Sequence, residues 1–449
     1  MNLAGAPVLV VGLGESGLAA VEALRDLGAR VTVTESRPEV DVGHAAEEAR
    51  SIGARVVAGG HDLEDLDGFG LAVTSPGVPP GSPILERLVS RGVEVWSELE
   101  LGVRLAEAPY VAITGTNGKT STTEIVAEAM RNDGLDAVAC GNIGYPLSRA
   151  AREGHDALAV EASSFQLEYT TSLRPRASAL LNLAPDHIDW HGSFDAYAAA
   201  KGRIYSAQPE DAFHVGNADD RTAADISGRA RCNRLWFSLL REDTDARFLD
   251  GSLVVRWRGE ELDLGAPPLG GGTHRANAAA AALISIAFGV SPEGVAKAIR
   301  SAELGPHRGV LVTEVDGVRF VDDSKATNPH ATLAAVASHA PVVLIAGGLA
   351  KGVDLSPLRA AAPQMRGLVA IGEAAPILMR IFEDVVPTRE ASSMEEAVRE
   401  GFELADEGTS VLLAPACASM DMFSDYGERG ERFADAAHRL EQERGKRDG

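Results

Sequence analysis

Lysine is scarce in this chain. Six lysines stand against 36 arginines. Four of the six lie in small-residue or polar motifs: Lys119 in Gly115-Thr116-Asn117-Gly118-Lys119-Thr120, Lys201 in Ala200-Lys201-Gly202-Arg203, Lys325 in Asp323-Ser324-Lys325-Ala326-Thr327-Asn328, and Lys351 in Gly347-Gly348-Leu349-Ala350-Lys351-Gly352. Where any positive charge would serve, the chain uses arginine. Lysine offers what arginine cannot: a compact ammonium that docks on a phosphate, or an amine that can lose its proton and react. This placement points to a nucleotide-using enzyme with several lysines at its active site.

Positive charge as a whole is the minority, 42 basic against 65 acidic residues and a net charge of −23. That disfavours a nucleic-acid partner or an anionic membrane surface. An anionic ligand must be met locally, by backbone amides, metal ions and a few cations. Cysteine is also rare. Cys140, Cys232 and Cys417 have no paired spacing for zinc or a redox motif and read as small buried residues. No apolar stretch is long enough to span a bilayer, and the run Val8–Val11 is only strand length, without the basic flank of a signal peptide. The reading is a cytoplasmic protein without membrane insertion.

What is present is a repeated pattern of strand, Gly-rich turn and helix. At 449 residues the chain has room for two to four domains. Strands are expected at 7–11, 30–34 and 71–74, with a helix over 18–27, and this makes a βαβ opening. A second unit has strands at 110–114, 157–160 and 177–181 and a helix over 119–131. A third has strands at 319–322, 342–346 and 411–414, and the charged tail from Glu441 is expected to fray. The predicted fold is α/β with three domains: a Rossmann-like N-terminal domain (1–96), a central P-loop ATPase-like domain on a parallel sheet (97–304) and a Rossmann-like C-terminal domain (305–449). In open α/β sheets ligands sit beyond the carboxyl ends of strands. Glu161, Asp186 and His187 fall there.

Gly115–Ser121 follows a strand and opens a helix. Its glycines let backbone N–H groups face a phosphate, and the helix N-terminus favours negative charge. Lys119 would reach the β/γ-phosphates and the Thr120 hydroxyl a Mg²⁺. The strict phosphate-loop pattern wants glycine five residues before Gly118, where Ile113 stands. Gly12-x-Gly14-x-x-Gly17 with Glu35 after the second strand reads as a dinucleotide fingerprint, though the same loop can hold any pyrophosphate. Glu161, His187 and Lys201 are candidates for a Mg²⁺ or Mn²⁺ cluster completed by ATP oxygens. Lys201 can ligate a metal only if neutral or carbamylated. His187 and His191 are four apart but no Glu follows His187, which argues against a zinc-protease helix.

In order along the chain, GTNGKTS at 115–121, GNIG at 141–144, EASSFQLE at 161–168, Asn182-x-x-x-Asp186-His187, Lys201-x-Arg203-Ile204-Tyr205, Pro306-His307-Arg308, DDSKATN at 322–328 and PACAS at 415–419 with Arg429-Gly430 resemble the Mur ligase family over the whole chain. The last pieces resemble the members that add D-glutamate. The resemblance implies ATP-dependent addition of D-glutamate to UDP-N-acetylmuramoyl-L-alanine through an acyl phosphate. It implies metal ligation by Thr120 and Glu161 at one ion, and by His187 and carbamylated Lys201 at another. ATP would be held by Gly115, Thr116, Asn117, Gly118, Lys119, Thr120, Ser121, Asn277, Arg308, Asp323 and Lys325. The UDP substrate would be held by Gly14, Ser16, Gly17, Ser36, Arg37, Asn142, Ser164 and Gln166. D-glutamate would fall to Thr327, Lys351, Ser419 and Tyr426. One departure is His274, where the family usually has an Asn facing adenine. An imidazole gives one donor or one acceptor, not both as an amide does.

Rival readings are ligases adding other residues, folylpolyglutamate synthase, an NAD-dependent oxidoreductase built on Gly12–Gly17, and a nucleotide-binding protein without turnover. A diamino-acid-adding ligase would carry Asp-Asn-Pro-Arg, which this chain lacks. The oxidoreductase reading leaves the Gly115–Thr120 motif and Lys201 without a role.

Overall fold

In the computed structural model, which describes residues 3–61, 66–268, 271–303 and 305–445, the chain forms three sheets. The first has strands β1 (Pro7–Val11), β2 (Arg30–Glu35), β3 (Arg55–Ala58), β4 (Leu71–Thr74) and β5 (Glu94–Ser97). All are parallel, in the order β3-β2-β1-β4-β5. This is the dinucleotide-fold order, with its reversal beside β1. β1 lies mid-sheet and is buried from Val8 to Val11, which is why it reads as a continuous apolar run rather than an alternating one. The following helix runs Glu15–Asp26. It begins three residues before its expected start because Gly14, in extended conformation, already serves as the N-cap, so the last glycine of the loop lies inside the helix.

The second sheet has β6 (Tyr110–Thr114), β7 (Ala137–Gly141), β8 (Ala157–Glu161), β9 (Ala177–Leu180), β10 (Phe213–Asn217), β11 (Asn233–Phe237), β12 (Ala246–Leu249), β13 (Ser252–Trp257) and β14 (Glu260–Asp263). Their order is β14-β13-β12-β11-β10-β9-β6-β8-β7. β7 to β12 are parallel, and β12 to β14 close one edge as an antiparallel meander. The helix Gly272–Phe288 is buried without interruption from Asn277 to Ile286. Its alanines make that possible, since a helix apolar on every face belongs inside.

The third sheet has β15 (Val310–Val315), β16 (Val318–Asp322), β17 (Val342–Gly347), β18 (Met365–Ile371), β19 (Thr388–Ala391) and β20 (Ser410–Leu413), in the order β15-β16-β20-β17-β18-β19. Only the hairpin β15–β16 is antiparallel. The chain closes on the helix Tyr426–Gly445. It passes Glu441, from which fraying was expected, and residues beyond 445 lie outside the described ones.

By compactness the chain divides into two units. The first two sheets share one, which takes the chain to Leu183 with Trp190–Pro268 and His274–Ala302; the second gathers the chain from Glu303 with the short segment Ala184–Asp189. The expected cut at Leu304 falls outside the described residues. Within the first unit, the helix Glu98–Leu105 joins the sheets, starting at Ser97, whose Oγ accepts from Glu100 N at 3.1 Å. Arg149 pairs with Glu22 at 2.6 Å between the same two bodies. No helix among the described residues is long and apolar enough to cross a membrane.

Candidate active site

The loop after β6 carries the first constellation. Gly118 caps the helix Lys119–Asn132 in left-handed conformation (φ 83°), which glycine adopts at no steric cost. The loop is clamped by Asn182 after β9: Thr116 N donates to Asn182 O at 3.0 Å, Asn117 N to Asn182 Oδ1 at 2.8 Å, and Asn182 Nδ2 to Asn117 O at 3.0 Å. Asn277 abuts it, since a Cβ on Gly118 would lie 2.1 Å from Asn277 Oδ1. Lys119 Nζ donates to Gly115 O at 3.0 Å and Thr116 O at 2.9 Å. Lys201 Nζ donates to the same Gly115 O at 2.8 Å and lies 4.8 Å from the centre of the Tyr197 ring. Tyr197 in turn shares a 2.9 Å hydrogen bond with Thr116 Oγ1. Lys201 is buried, so it is not an ordinary surface lysine on a helix. Two lysines 82 positions apart thus meet on one carbonyl of the loop.

Glu161 ends β8 beside β6, in register with Ile113. It is buried. Oε1 accepts from Asn142 Nδ2 at 2.9 Å, and Oε2 has no hydrogen-bond partner among the described residues. A buried carboxylate oxygen without a donor is costly, and a hard cation is the partner such an oxygen suits. Glu161 and the Thr120 hydroxyl on the first helical turn therefore fit a divalent ion by donor chemistry. Gly141 (φ 90°) lets the backbone come close to Glu161, since a Cβ there would strike Glu161 O at 2.2 Å, and Asn142 N donates to that oxygen at 2.9 Å.

His187 is not collected with these residues in one unit. It is carried by Ala184–Asp189, which clusters with the second unit, where Asp186 Oδ2 accepts from Asn328 Nδ2 at 3.2 Å. His187 itself has positive φ (53°), and its N–H donates to Asp186 Oδ1 at 2.9 Å.

The loop Gly12–Gly17 leaves β1 at the order reversal. A Cβ on Gly17 would lie 2.2 Å from Gly12 O, so the third glycine permits close packing of helix on loop. Glu35 does not face outward for a ribose. Oε2 accepts from Leu13 N at 2.8 Å, and Oε1 accepts from Arg37 N at 2.9 Å and from Ser36 Oγ at 3.3 Å. Arg37 Nη2 adds an ion pair at 3.0 Å. Burial opposes its charge, but the Arg37 and Leu13 hydrogen bonds outweigh it and bring the carboxyl down to about 2. The carboxylate belongs to the loop, which weakens the dinucleotide reading.

Ser164 and Gln166 lie on the helix Ser164–Glu168. Gln166 Oε1 is engaged in a capping box with Ser163. Ser164 Oγ shares a 2.9 Å hydrogen bond with His191 Nε2. His191 also packs among Phe165, Trp190 and Tyr197, with ring centres 4.4–5.7 Å away. Sequence reasoning weighed His191 only for a zinc-protease helix and missed its contact with Ser164.

In the second unit, the loops after β16, β17 and β20 are tied together. Leu349 and Ala418 exchange backbone hydrogen bonds of 2.9 and 3.0 Å, and Ala416 N donates to Ala326 O at 2.9 Å. Thr327, Lys351 and Ser419 stand on these three loops. Lys351 adopts positive φ (49°), and Lys325 Nζ lies 4.8 Å from the Tyr426 ring centre. Arg429, buried and given no role by sequence reasoning, donates to Ser324 Oγ at 3.0 Å, Ser324 O at 2.8 Å and Cys417 O at 3.1 Å. Burial draws its guanidinium down to about 10. His307 Nδ1 shares a 2.6 Å hydrogen bond with Asp322 Oδ2. Burial, then the Asp322 charge, push the Asp323 carboxyl up to about 7, against the pull of Arg308. All three cysteines are buried, and burial pushes the Cys417 thiol up to about 12.

The chain matches the models of the Mur ligase MurD-like N-terminal domain over residues 6–97, the Mur ligase middle domain over 113–285 and the Mur ligase glutamate ligase domain over 307–417. It is 44% identical to the UDP-N-acetylmuramoylalanine–D-glutamate ligase of Frankia casuarinae, over 98% of this chain and 96% of that one. The chain belongs to the Mur ligase family. A protein of the same description from Thermobifida fusca is 42% identical, over 97% of this chain and 98% of its own. Among solved Mur ligase structures, MurC of Thermotoga maritima superposes with a TM-score of 0.61 at 15% identity, over 97% of this chain and 99% of that one. MurF of Thermotoga maritima in complex with ADP gives 0.60 at 17%, over 99% and 96%. At such identity these two speak to the fold alone. The Mur ligase assignment accounts for three α/β bodies on parallel sheets and for ATP-dependent amide-bond formation as the family's chemistry.

Proposed function

We propose that this Mur ligase adds D-glutamate to UDP-N-acetylmuramoyl-L-alanine, in peptidoglycan precursor synthesis in the cytoplasm. The observation that carries the reading is end-to-end similarity, at 36–44% identity, to relatives described as that ligase. Domain roles follow the sequence expectation: 1–96 for the UDP substrate, 97–304 for ATP, 305–449 for the amino acid.

A carboxylate oxygen of the substrate attacks the γ-phosphorus of ATP, and ADP leaves. The D-glutamate amine then attacks the acyl carbon, phosphate departs with that oxygen, and the amine proton is lost to water or a base. Gly115–Ser121 and Asn277 hold the nucleotide in the first unit; Arg308, Asp323 and Lys325 carry the same assignment in the second. Lys119 stabilises charge spread over the transferring phosphoryl. Thr120 and Glu161 are the proposed ligands of one Mg²⁺ or Mn²⁺ ion, and His187 and carbamylated Lys201 of another; such ions, when bound, would supply charge neutralisation at the phosphates. Two ammonium groups on one carbonyl repel, and a carbamate on Lys201 turns that repulsion into attraction. Gly14, Ser16, Gly17, Ser36, Arg37, Asn142, Ser164 and Gln166 hold the UDP substrate. Thr327, Lys351, Ser419 and Tyr426 hold D-glutamate.

A panel of amino acids tests the substrate. D-glutamate is expected to exceed L-glutamate and D-aspartate by at least about 100-fold in kcat/KM, because a clamp built for two carboxylates leaves a cation unpaired with a shorter acid. Equal turnover of D-aspartate would refute the assignment.

A further inference from the structure

The helix Glu98–Leu105 that joins the first two sheets carries a carboxylate with no part in the chemistry above. Glu100 is fully buried. Its Oε2 accepts from Thr171 N at 2.9 Å and Ser172 N at 3.0 Å. Its Oε1 accepts from Thr171 Oγ1 at 3.3 Å, Ser172 Oγ at 2.7 Å and Arg104 Nε at 2.7 Å. Five donors meet one carboxylate. Four of them come from two consecutive residues, each giving its backbone N–H and its hydroxyl. Such a set recognises the ionised form and makes short, strong, charge-assisted bonds.

What Glu100 holds is the turn directly after the helix Ser164–Glu168. The same turn is gripped next door by Ser97, whose N–H donates to Tyr169 O at 3.0 Å and whose Oγ shares a 2.8 Å hydrogen bond with Thr170 Oγ1. Thr170 Oγ1 in turn donates to Gln166 O at 2.6 Å. The helix itself has five residues. A helix that short has little stability of its own and takes its orientation from what anchors its ends. Its N-terminal end has the Ser163–Gln166 capping box; its C-terminal end has this turn.

We infer that Glu100 is a positioning residue for the UDP substrate, setting the orientation of Ser164 and Gln166 through its grip on the turn Thr171–Ser172. The inference rests on the proposed assignment of Ser164 and Gln166 to that substrate. Burial works against the charge of Glu100, but the hydrogen bonds from Ser172, Thr171 and Arg104 outweigh it and hold the carboxyl below the usual range. The resting state is therefore the anion that this geometry needs.

The test is Glu100→Gln, which keeps the size but puts an NH₂ where only acceptors fit. Whichever way the amide turns, donor faces donor. Steady-state constants for UDP-N-acetylmuramoyl-L-alanine, ATP and D-glutamate are measured beside a thermal melt of each protein. The expected result is a rise of about ten-fold or more in KM for the UDP substrate, with KM for ATP within about two-fold of wild type. A folded variant with unchanged KM for the UDP substrate, or one in which both KM values rise together, overturns the inference. If Glu100→Gln does not fold, Thr171→Val with Ser172→Ala removes only the hydroxyl donors, and a selective rise of about three-fold is expected; Ser172→Thr alone, which keeps both hydroxyl donors, should behave as wild type. No selective rise in the double variant would overturn the inference equally. Wild-type protein inactive on this substrate pair would instead count against the functional reading.

Discussion

Lys119 and Lys201 give the residue scale its sharpest contrast, because both ammonium groups end on Gly115 O. A like-charge pair at ~4 Å costs roughly 4 kcal/mol at an effective dielectric near 20, and a divalent ion facing an ammonium about twice that. A carbamate on Lys201 reverses the sign and supplies two oxygens. Lys201→Ala is therefore expected to have low activity that added short-chain carboxylic acids partly restore. Full activity without additive, or a bare amine in the active enzyme by intact mass, would remove the carbamate. Asp323 makes a second residue-scale prediction. Its carboxyl titrates at about 7, above the ordinary 3.8, so the folded state resists ionisation that the unfolded state accepts. Between those two values stability falls as pH rises, and above pH 7 the full cost remains, on the order of 2 kcal/mol after allowing for partial exposure. Asp323→Asn should therefore melt higher than wild type at pH 8, with the gap closing toward pH 4, while losing ATP-dependent turnover. A gap independent of pH would contradict it.

At the scale of the element, β1, β4 and β6 fall where the apolar runs place them, and the edges of the other strands read from sequence lie within a residue or so. The reason is physical: buried parallel strands are continuous apolar runs cut off by glycine or a polar residue, so their ends are written locally. The helix after β1 was less legible, because its first turn, Glu15-Ser16-Gly17, looks like loop. Contacts between elements were not legible at all. Glu100 sits in Glu98-Leu99-Glu100-Leu101, to which the sequence reading gave no element and no role, and its partners lie 71 and 72 residues away. Asn182 and Arg429 stood inside quoted motifs, but their partners are atoms of loops distant in sequence, mostly backbone carbonyls and amides with the Ser324 hydroxyl, that no spacing reveals. Gly17 tests the loop–helix junction. Gly17→Ala would press a methyl against Gly12 O and Ser75 Oγ. The expected cost is about 3 kcal/mol, with weakened binding of the UDP substrate. A melt and an affinity both unchanged would mean that the junction is looser than its geometry.

For the whole molecule, three of the six lysines stand in the loops or first helical turn after the carboxyl ends of parallel strands. Lys119 follows β6, while Lys325 and Lys351 follow β16 and β17. On a chain of net charge −23, the proposed substrates, all anionic, would be met by these few loops rather than by the surface at large. Sequence order alone revealed the three α/β bodies, since each repeats strand, glycine turn and helix. It did not reveal that the first two share one compact unit, or that Ala184–Asp189, with His187, clusters with the other. In the proposed reaction this Mur ligase activates a substrate carboxylate as an acyl phosphate for attack by D-glutamate. The most direct measurement uses UDP-N-acetylmuramoyl-L-alanine labelled with ¹⁸O in its free carboxylate. The account predicts that each phosphate released in the presence of ATP, Mg²⁺ and D-glutamate carries one ¹⁸O, with the other retained in the new amide. Unlabelled phosphate released alongside ligated product would contradict it.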